Sequence, residues 1–522
     1  MNLQTAPASP SAADIAIAKP VNGIGSWLAV AALLGGFAVF HLLTLMRQPV
    51  PFVDEAWNAS RAWGLLHTGQ AFGTLDAGVF DKYPAYWAYF PWLGTAIQSL
   101  GLAVFGASLF AVRVPSLVAG LALLLAIYII AGRLYGRGVG LLALALVASS
   151  NAFLISSHLG RHDIIVTAFG FAAVALYVTD TGTGFSVRSV LCGLAVGLTL
   201  DIHFNGIIYG PAVLILYLLD YGWRTVRVRR FWGFIVGGLA GVLFFLGMHI
   251  LPNPQTYFTL FALGNGTSRT PPVLVPDWQV WWGALVDTLT PLDMRVPLIV
   301  AAGGVLVWRH SAADKKVLAL CGVLLLLFLT VIRTKGLFYV ILLSPAADLV
   351  LAGGLGILLQ GWRRPSRSGA VRIALVVGLL LAGLIRVFSP LTTNAMPSYH
   401  AALDRIRQTV PAGRSVIGSQ NYWFALSGQP YYSWEQLIYY RRYAPGSTLT
   451  DALRAIHPDY FLFDRQVDLF ISDQPERLPV FFQQRYLPKT ELATFLAQHG
   501  RLVLTMPTEQ FGDIEVYHLN WN

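Results

Sequence analysis

The sequence predicts a mostly α-helical membrane protein of about eleven transmembrane helices, with interfacial helices in its first external loop and a soluble α/β domain at the C-terminus. Three observations predict it. Hydrophobic residues make up 55% of the 522-residue chain and charged residues only 12%, whereas soluble domains carry about 25% charged residues. Apolar runs near the spanning length of roughly 20 residues recur between residues 26 and 389. Beyond residue 390 the chain becomes far more polar, and the runs shorten to strand and helix lengths.

The apolar runs fall near 26–46, 112–132, 138–157, 162–180, 188–203, 205–220, 232–251, 295–308, 316–332, 337–360 and 371–389. Basic residues concentrate in alternate connections: Arg133 and Arg137; Arg188; Arg224, Arg227, Arg229 and Arg230; Arg309, Lys315 and Lys316; Arg363, Arg364, Arg367 and Arg372. Placing these in the cytoplasm satisfies the positive-inside rule at every turn. It also requires residues 86–107 to lie in the interface, because counting them as a span would move Arg133 and Arg137 outside. Pro91, Gln98 and the abundant Trp and Tyr of that stretch suit an interfacial position. The polar residues 1–25 read as a disordered cytoplasmic tail, and the first apolar run is too long, and lacks the cleavage site, for a removable signal peptide.

The domain organisation follows. Residues 26–389 form a polytopic domain whose long external loops are 47–111 and 252–294, and residues 390–522 form a non-cytoplasmic domain. In the latter, β-like runs at 415–418, 460–463, 502–504 and 514–519 alternate with helix-like runs at 448–456 and 490–499. The formal charge of +10 sits in cytoplasmic clusters, so it implies membrane lipids rather than nucleic acid. Cys192 and Cys321, the two cysteines, lie in apolar runs and support neither a disulfide framework nor a zinc site. Gly233, Gly237 and Gly241 recur at four-residue spacing, which reads as close helix packing.

Candidate chemistry gathers on the external side. In the run from Pro51 to Arg61, helical spacing puts Asp54, Asn58 and Arg61 on one face. Asp54 reads equally as a helix N-cap; what favours a reactive role is a pair of carboxylates, Asp54 and Glu55, emerging directly from a membrane helix. A carboxylate there can act as general base, with its pKa set by burial and neighbouring cations. Arg161 and Asp163 sit at the next external turn, either as a helix-capping pair or with Asp163 orienting a substrate, a metal or the first loop. Lys82, Arg269, Arg333 and Lys335 are external cations near membrane boundaries, suited to a lipid-borne phosphate and equally to snorkelling. The run Asp201 to Asn205 fits a turn at the same face.

These residues resemble the glycosyltransferase C superfamily, in particular the aminoarabinose lipid A transferases and protein O-mannosyltransferases. The matching elements are Asp54-Glu55 after the first span, Lys82 to Trp87, Phe105-Gly106, Arg113-Val114-Pro115-Ser116, Arg161-x-Asp163, and Lys335 with Tyr339 leading to Pro345. One departure is that Tyr83 separates Lys82 from Pro84 where the family commonly has Lys-Pro. The resemblance covers residues 26–350 and implies a bundle of eleven or more helices. It further implies inverting transfer of a sugar from a polyprenyl-phosphate donor to a hydroxyl or phosphate of a lipid, glycan or protein acceptor, at the extracytoplasmic face of the inner membrane. Asp54 would be the general base, supported by Glu55, and Asp163 would position sugar or acceptor. Lys82, Arg269, Lys335 and Tyr339, with Arg61 and Arg161, would hold the donor phosphate. Some relatives use a divalent cation between such carboxylates, here Asp54 and Asp163, and others do not.

A transporter or flippase of lipid-linked sugars is the alternative from another class. Transporters place polar sites near the bilayer midplane, whereas these residues cluster at one face, which favours the enzyme.

Overall fold

The computed structural model describes residues 24–265, 277–292, 295–332, 335–336, 338–360, 377–378, 380–385, 389, 394, 396–478 and 485–521. It is mostly helical, with one small sheet near the C-terminus. The first helices are α1 (Ile24–Thr44), α2 (Val53–Thr68), α3 (Trp92–Phe105) and α4 (Leu109–Tyr135). Next come α5 (Arg137–Ala148), α6 (Asn151–His158), α7 (Asp163–Thr179), α8 (Val187–Ile202), α9 (Tyr209–Tyr221) and α10 (Arg229–Phe245). They are followed by α11 (Pro254–Asn265), α12 (Trp278–Leu289), α13 (Arg295–Arg309), α14 (Ala312–Thr330) and α15 (Ser344–Gln360).

Among the described residues, four helices are long and apolar enough to cross a membrane, or six if each of two bent pairs is one span. The expected eleven are therefore met only in part. Several predicted spans are shorter helices: α7 has 17 residues, α8 16 and α13 15. At 1.5 Å per residue even α7 reaches only about 25 Å, short of the roughly 30 Å hydrocarbon core. The tail at 1–23 and most of the predicted span 371–389 lie outside the described residues. α3 has 14 residues, too few to span, as expected for the 86–107 stretch.

The run 138–157 is not one helix. It breaks between α5 and α6 with a bend of 64°, where Ser150 Oγ accepts from the Phe153 N–H and starts the new helix. Carbonyls at such a break need donors inside an apolar bundle. Arg295 supplies them, donating to the carbonyls of Leu146 (2.7 Å) and Ser149 (2.8 Å) while paired with Asp348 at 2.9 Å.

α8 and α10 pack along the predicted glycine stripe. A Cβ on Gly237 would lie 1.9 Å from the Val190 carbonyl oxygen, and one on Gly193 1.9 Å from that of Phe234. Backbone contact this close leaves no room for a side chain. Gly237→Val is expected to lower the thermal stability of the detergent-purified protein by ~1–3 kcal/mol, read as a drop in melting temperature; an unchanged transition would contradict the packing. On its other side α10 leaves Val236, Leu239 and Leu243 more than half exposed, an apolar face suited to lipid.

The C-terminal region contains α16 (Met396–Thr409), β1 (Val416–Gly418), β2 (Tyr431–Ser433), α17 (Glu435–Tyr443), α18 (Leu449–Ile456), β3 (Tyr460–Phe463), α19 (Arg465–Asp468), α20 (Lys489–His499), β4 (Gly500–Thr508) and β5 (Gly512–Leu519). The sheet order is β2-β1-β3-β5-β4, with β1 parallel to β2 and β3, and β5 antiparallel to β3 and β4. One face of the sheet, α16 and the turn Gln420–Ala425 share an apolar core with Ala56, Ala59 and Ala62 of α2. Two hydrogen bonds fix the docking: Trp423 Nε1 donates to Thr74 Oγ1 (3.1 Å) and Gln436 Nε2 to the Leu75 carbonyl (2.9 Å). This region therefore sits against the segment that carries Asp54.

Candidate active site

The site is built outward from the start of α2. Phe52 is extended and caps the helix, and its N–H donates to Glu55 Oε2 at 3.0 Å. Asp54 is thus a first-turn residue and not the cap, which leaves its carboxylate to face outward. Asp54, Asn58 and Arg61, predicted on one face, all line a cavity of about 590 Å³. The same cavity receives Arg161, His162 and Asp163, the turn residues His203, Phe204 and Asn205, and Tyr339.

The Gly160–His162 turn is held from four directions. The Gly160 carbonyl accepts from Asn58 Nδ2 (3.0 Å) and Gln98 Nε2 (2.8 Å), and its N–H donates to Glu55 Oε1 (2.7 Å). Ser116 Oγ donates to the Arg161 carbonyl at 3.2 Å. A Cβ on Gly160 would stand 2.7 Å from the Val112 side chain, so only glycine lets the turn approach α4 this closely.

Arg161 is the centre of the arrangement. Its Nε donates to Asp163 Oδ2 at 2.7 Å and its Nη1 to Asp54 Oδ2. Tyr339 stands beside the same guanidinium. The rings of Phe338, Tyr339 and Phe52 surround it, with centroids 4.8, 5.5 and 5.4 Å from its central carbon. The two carboxylates differ in access: the Asp54 side chain is 42% exposed and that of Asp163 only 3%. Asp54 is the one a substrate can reach, while Asp163 fixes the arginine from behind, with its Oδ1 buried and without a hydrogen-bond partner among the described residues.

Glu55 is fully buried. Its carboxylate takes a two-pronged contact from Arg113 at 2.7 and 2.9 Å, and Arg113 also donates to the carbonyls of Leu45 (2.7 Å) and Pro49 (3.0 Å). Arg61 grips Asp76 through two bonds of 2.9 and 2.8 Å and lies over the Phe90 ring at 3.8 Å. Burial raises the Asp76 pKa although Arg61 opposes the shift.

Lys82 and Lys335 do not line the cavity. Lys82 Nζ sits over the rings of Tyr440 and Tyr443, at 4.9 and 5.5 Å. Lys335 Nζ donates to the carbonyls of Phe328 (2.6 Å), Leu329 (3.2 Å) and Ile332, capping the end of α14 as a cation suits a helix C-terminus. Burial brings its pKa down to about 8. Arg269 and Arg333 lie outside the described residues. Lys335→Ala is expected to weaken the protein's thermal stability while leaving polyprenyl-phosphate affinity within about twofold. Loss of a phosphate contact would instead cost roughly tenfold or more, so a direct affinity measurement separates the two.

Three groups of residues had no role assigned from the sequence. Arg113 was visible as an arginine entering an apolar run, a costly position that signals a partner. Gln98 had no such signal. Glu435, Tyr439 and Arg485 reach the cavity from the C-terminal region, and only the docking of that region brings them there. No group of three or more His, Cys, Asp or Glu side chains is arranged to hold a metal among the described residues. Asp54 and Asp163 meet on the Arg161 guanidinium, so a cation bridging both would have to displace it.

Residues 90–250 match the family model described as dolichyl-phosphate-mannose-protein mannosyltransferase. A curated relative, the undecaprenyl phosphate-alpha-4-amino-4-deoxy-L-arabinose arabinosyl transferase of Pseudomonas savastanoi pv. phaseolicola, is 27% identical over 378 residues, 70% of this chain and 68% of that one. The crystal structure of ArnT from Cupriavidus metallidurans bound to undecaprenyl phosphate matches with a TM-score of 0.60 at 14% identity, covering 95% of this chain and 98% of that one. These matches fit the glycosyltransferase C superfamily. The fold also matches that of the oligosaccharyltransferase of Archaeoglobus fulgidus in its apo form, with a TM-score of 0.56 at 11% identity over 95% of this chain and 74% of that one.

Proposed function

We propose that this protein is an inverting glycosyltransferase, moving a sugar from a polyprenyl-phosphate donor to an acceptor hydroxyl at the extracytoplasmic face of the inner membrane. The observation that carries the reading is the Asp54–Arg161–Asp163 arrangement, in which one accessible carboxylate and one buried carboxylate share a guanidinium on a cavity wall. The similarity to an undecaprenyl phosphate-aminoarabinose transferase and to a structure bound to undecaprenyl phosphate supports the choice of donor.

In this reading the donor phosphate takes over the Arg161 N–H that faces Asp54 and accepts from the Tyr339 hydroxyl. Arginine's planar fork suits two phosphate oxygens. Asp54, released from the arginine, takes the proton of the acceptor hydroxyl. The acceptor oxygen bonds to the anomeric carbon on the face opposite the phosphate. The carbon–oxygen bond to phosphate breaks, and its electron pair leaves with the polyprenyl phosphate. Donors fixed where phosphate charge develops are a large catalytic contribution. Asp163 keeps Arg161 aimed, and Glu55 with Arg113 holds the base of α2. Asn58 and Arg61 line the path along which a sugar would lie.

The test incubates purified protein with radiolabelled polyprenyl-phosphate sugars and a membrane extract. Label is expected on an acceptor, with the anomeric configuration inverted and polyprenyl phosphate released. Label that stays on the donor, or crosses a proteoliposome bilayer still attached to it, would contradict the reading.

A further inference from the structure

The reaction above makes no use of the cavity wall supplied by the C-terminal region. That wall is the start of α17 together with Arg485. Glu435 Oε2 accepts from the Tyr439 hydroxyl one turn on (3.3 Å), and its Oε1 accepts from Gln420 Nε2 (3.2 Å). Gln420 is itself anchored on Ser433 Oγ at 2.7 Å. A carboxylate offers about four acceptor positions, so roughly two remain for a ligand. Burial and the neighbouring Glu435 raise the Tyr439 pKa, which keeps its phenol a donor.

Aromatic faces frame the carboxylate. The Tyr439 ring lies 5.0 Å from Phe80, Phe80 lies 6.1 Å from Phe90, and Phe90 lies under Arg61. This chain of contacts places Glu435 toward the Arg61 end of the cavity. Asp54 and Arg61 are separated by about two turns of α2, roughly 10 Å of rise. The two ends differ in what they offer a ligand: the Arg161 end is suited to phosphate, while the other end presents the Glu435 carboxylate together with Arg485 and an Arg61 already paired with Asp76. A neutral ring bearing several hydroxyls fits the Glu435 end, donating to the carboxylate and resting its C–H faces on the aromatic rings. The wall is fixed, because the next residue, Gln436, is hydrogen-bonded to Leu75.

We infer that Glu435 is a specificity-determining residue that accepts hydrogen bonds from hydroxyls of a substrate sugar at the end of the cavity remote from Arg161. The inference rests on the transfer reading. The sugar belongs either to the donor or to the acceptor, and the test has one arm for each.

In the first arm, affinities of undecaprenyl phosphate and of its sugar-bearing forms are measured by titration calorimetry for full-length wild type and Glu435→Gln. In the second, transfer rates are measured against increasing amounts of a membrane glycolipid fraction. Bare undecaprenyl phosphate is expected to bind both proteins within about twofold. Either the extra affinity given by the sugar falls about tenfold, marking the donor, or the acceptor KM rises about tenfold with kcat little changed, marking the acceptor. Tyr439→Phe, which removes only the brace, should shift the same quantity in the same direction by less. If Glu435→Gln also lost bare undecaprenyl phosphate, Tyr439→Phe would decide. Variants matching wild type in both arms would overturn the inference. A wild type that fails to bind undecaprenyl phosphate would instead overturn the transfer reading.

Discussion

Asp54→Asn is expected to lower sugar transfer by about 10²–10⁴-fold, the usual worth of a positioned general base. The change keeps the shape of the side chain and removes its ability to take a proton. Because the Asp54 side chain is 42% exposed, the substitution opens no cavity, and the protein should fold and melt as wild type does. Binding of undecaprenyl phosphate should be unchanged or tighter, since Arg161 loses a carboxylate that competes with the phosphate. Initial rates and donor affinity measured on the same preparation check both halves. Asp163→Asn differs in kind: it acts on a buried side chain that aims Arg161, so donor affinity should fall together with rate. A rate for Asp54→Asn within a few-fold of wild type would remove Asp54 from the base position.

Arg113→Ala is expected to be the most destabilising of the substitutions considered, by ~3–5 kcal/mol. It would leave the Glu55 carboxylate fully buried without its cation, and would free the carbonyls of Leu45 and Pro49 from their donor. Breaking a buried pair from one side is far costlier than replacing both members by apolar groups of similar volume. The double variant Arg113→Met with Glu55→Leu should therefore recover part of the loss. Thermal unfolding of wild type and the two variants in one detergent gives the comparison. A double variant less stable than Arg113→Ala would show that the pair contributes more than mutual compensation.

Part of the membrane half was legible, four to six of the eleven expected spans among the described residues, because apolar length acts locally. The Gly233, Gly237 and Gly241 spacing led directly to the α8–α10 contact. Helical phase on α2 placed Asp54, Asn58 and Arg61 together on the cavity wall. The break at Ser149 and Ser150 was not legible, because its carbonyls are satisfied by Arg295, nearly 150 residues away in the chain. Lys335, matched by the family resemblance, donates to carbonyls at the end of α14, a contact between chain neighbours that looks the same in sequence as an exposed cation. In the C-terminal region, Tyr460–Phe463 coincides with a predicted strand, whereas α17, carrying three tyrosines and two arginines, has no clean apolar stripe. That missed helix brings Glu435 and Tyr439 to the cavity, and only tertiary docking against Thr74 and Leu75 puts them there.

The central claim is that the guanidinium between Asp54 and Asp163 is a polyprenyl-phosphate site, and the affinity of Arg161→Gln for undecaprenyl phosphate tests it most directly. A hydrogen bond to a charged group contributes ~1.5–3 kcal/mol, so the variant is expected to bind about 10- to 100-fold more weakly than wild type. Undecaprenyl phosphate bound by Arg161→Gln as tightly as by wild type would contradict the account.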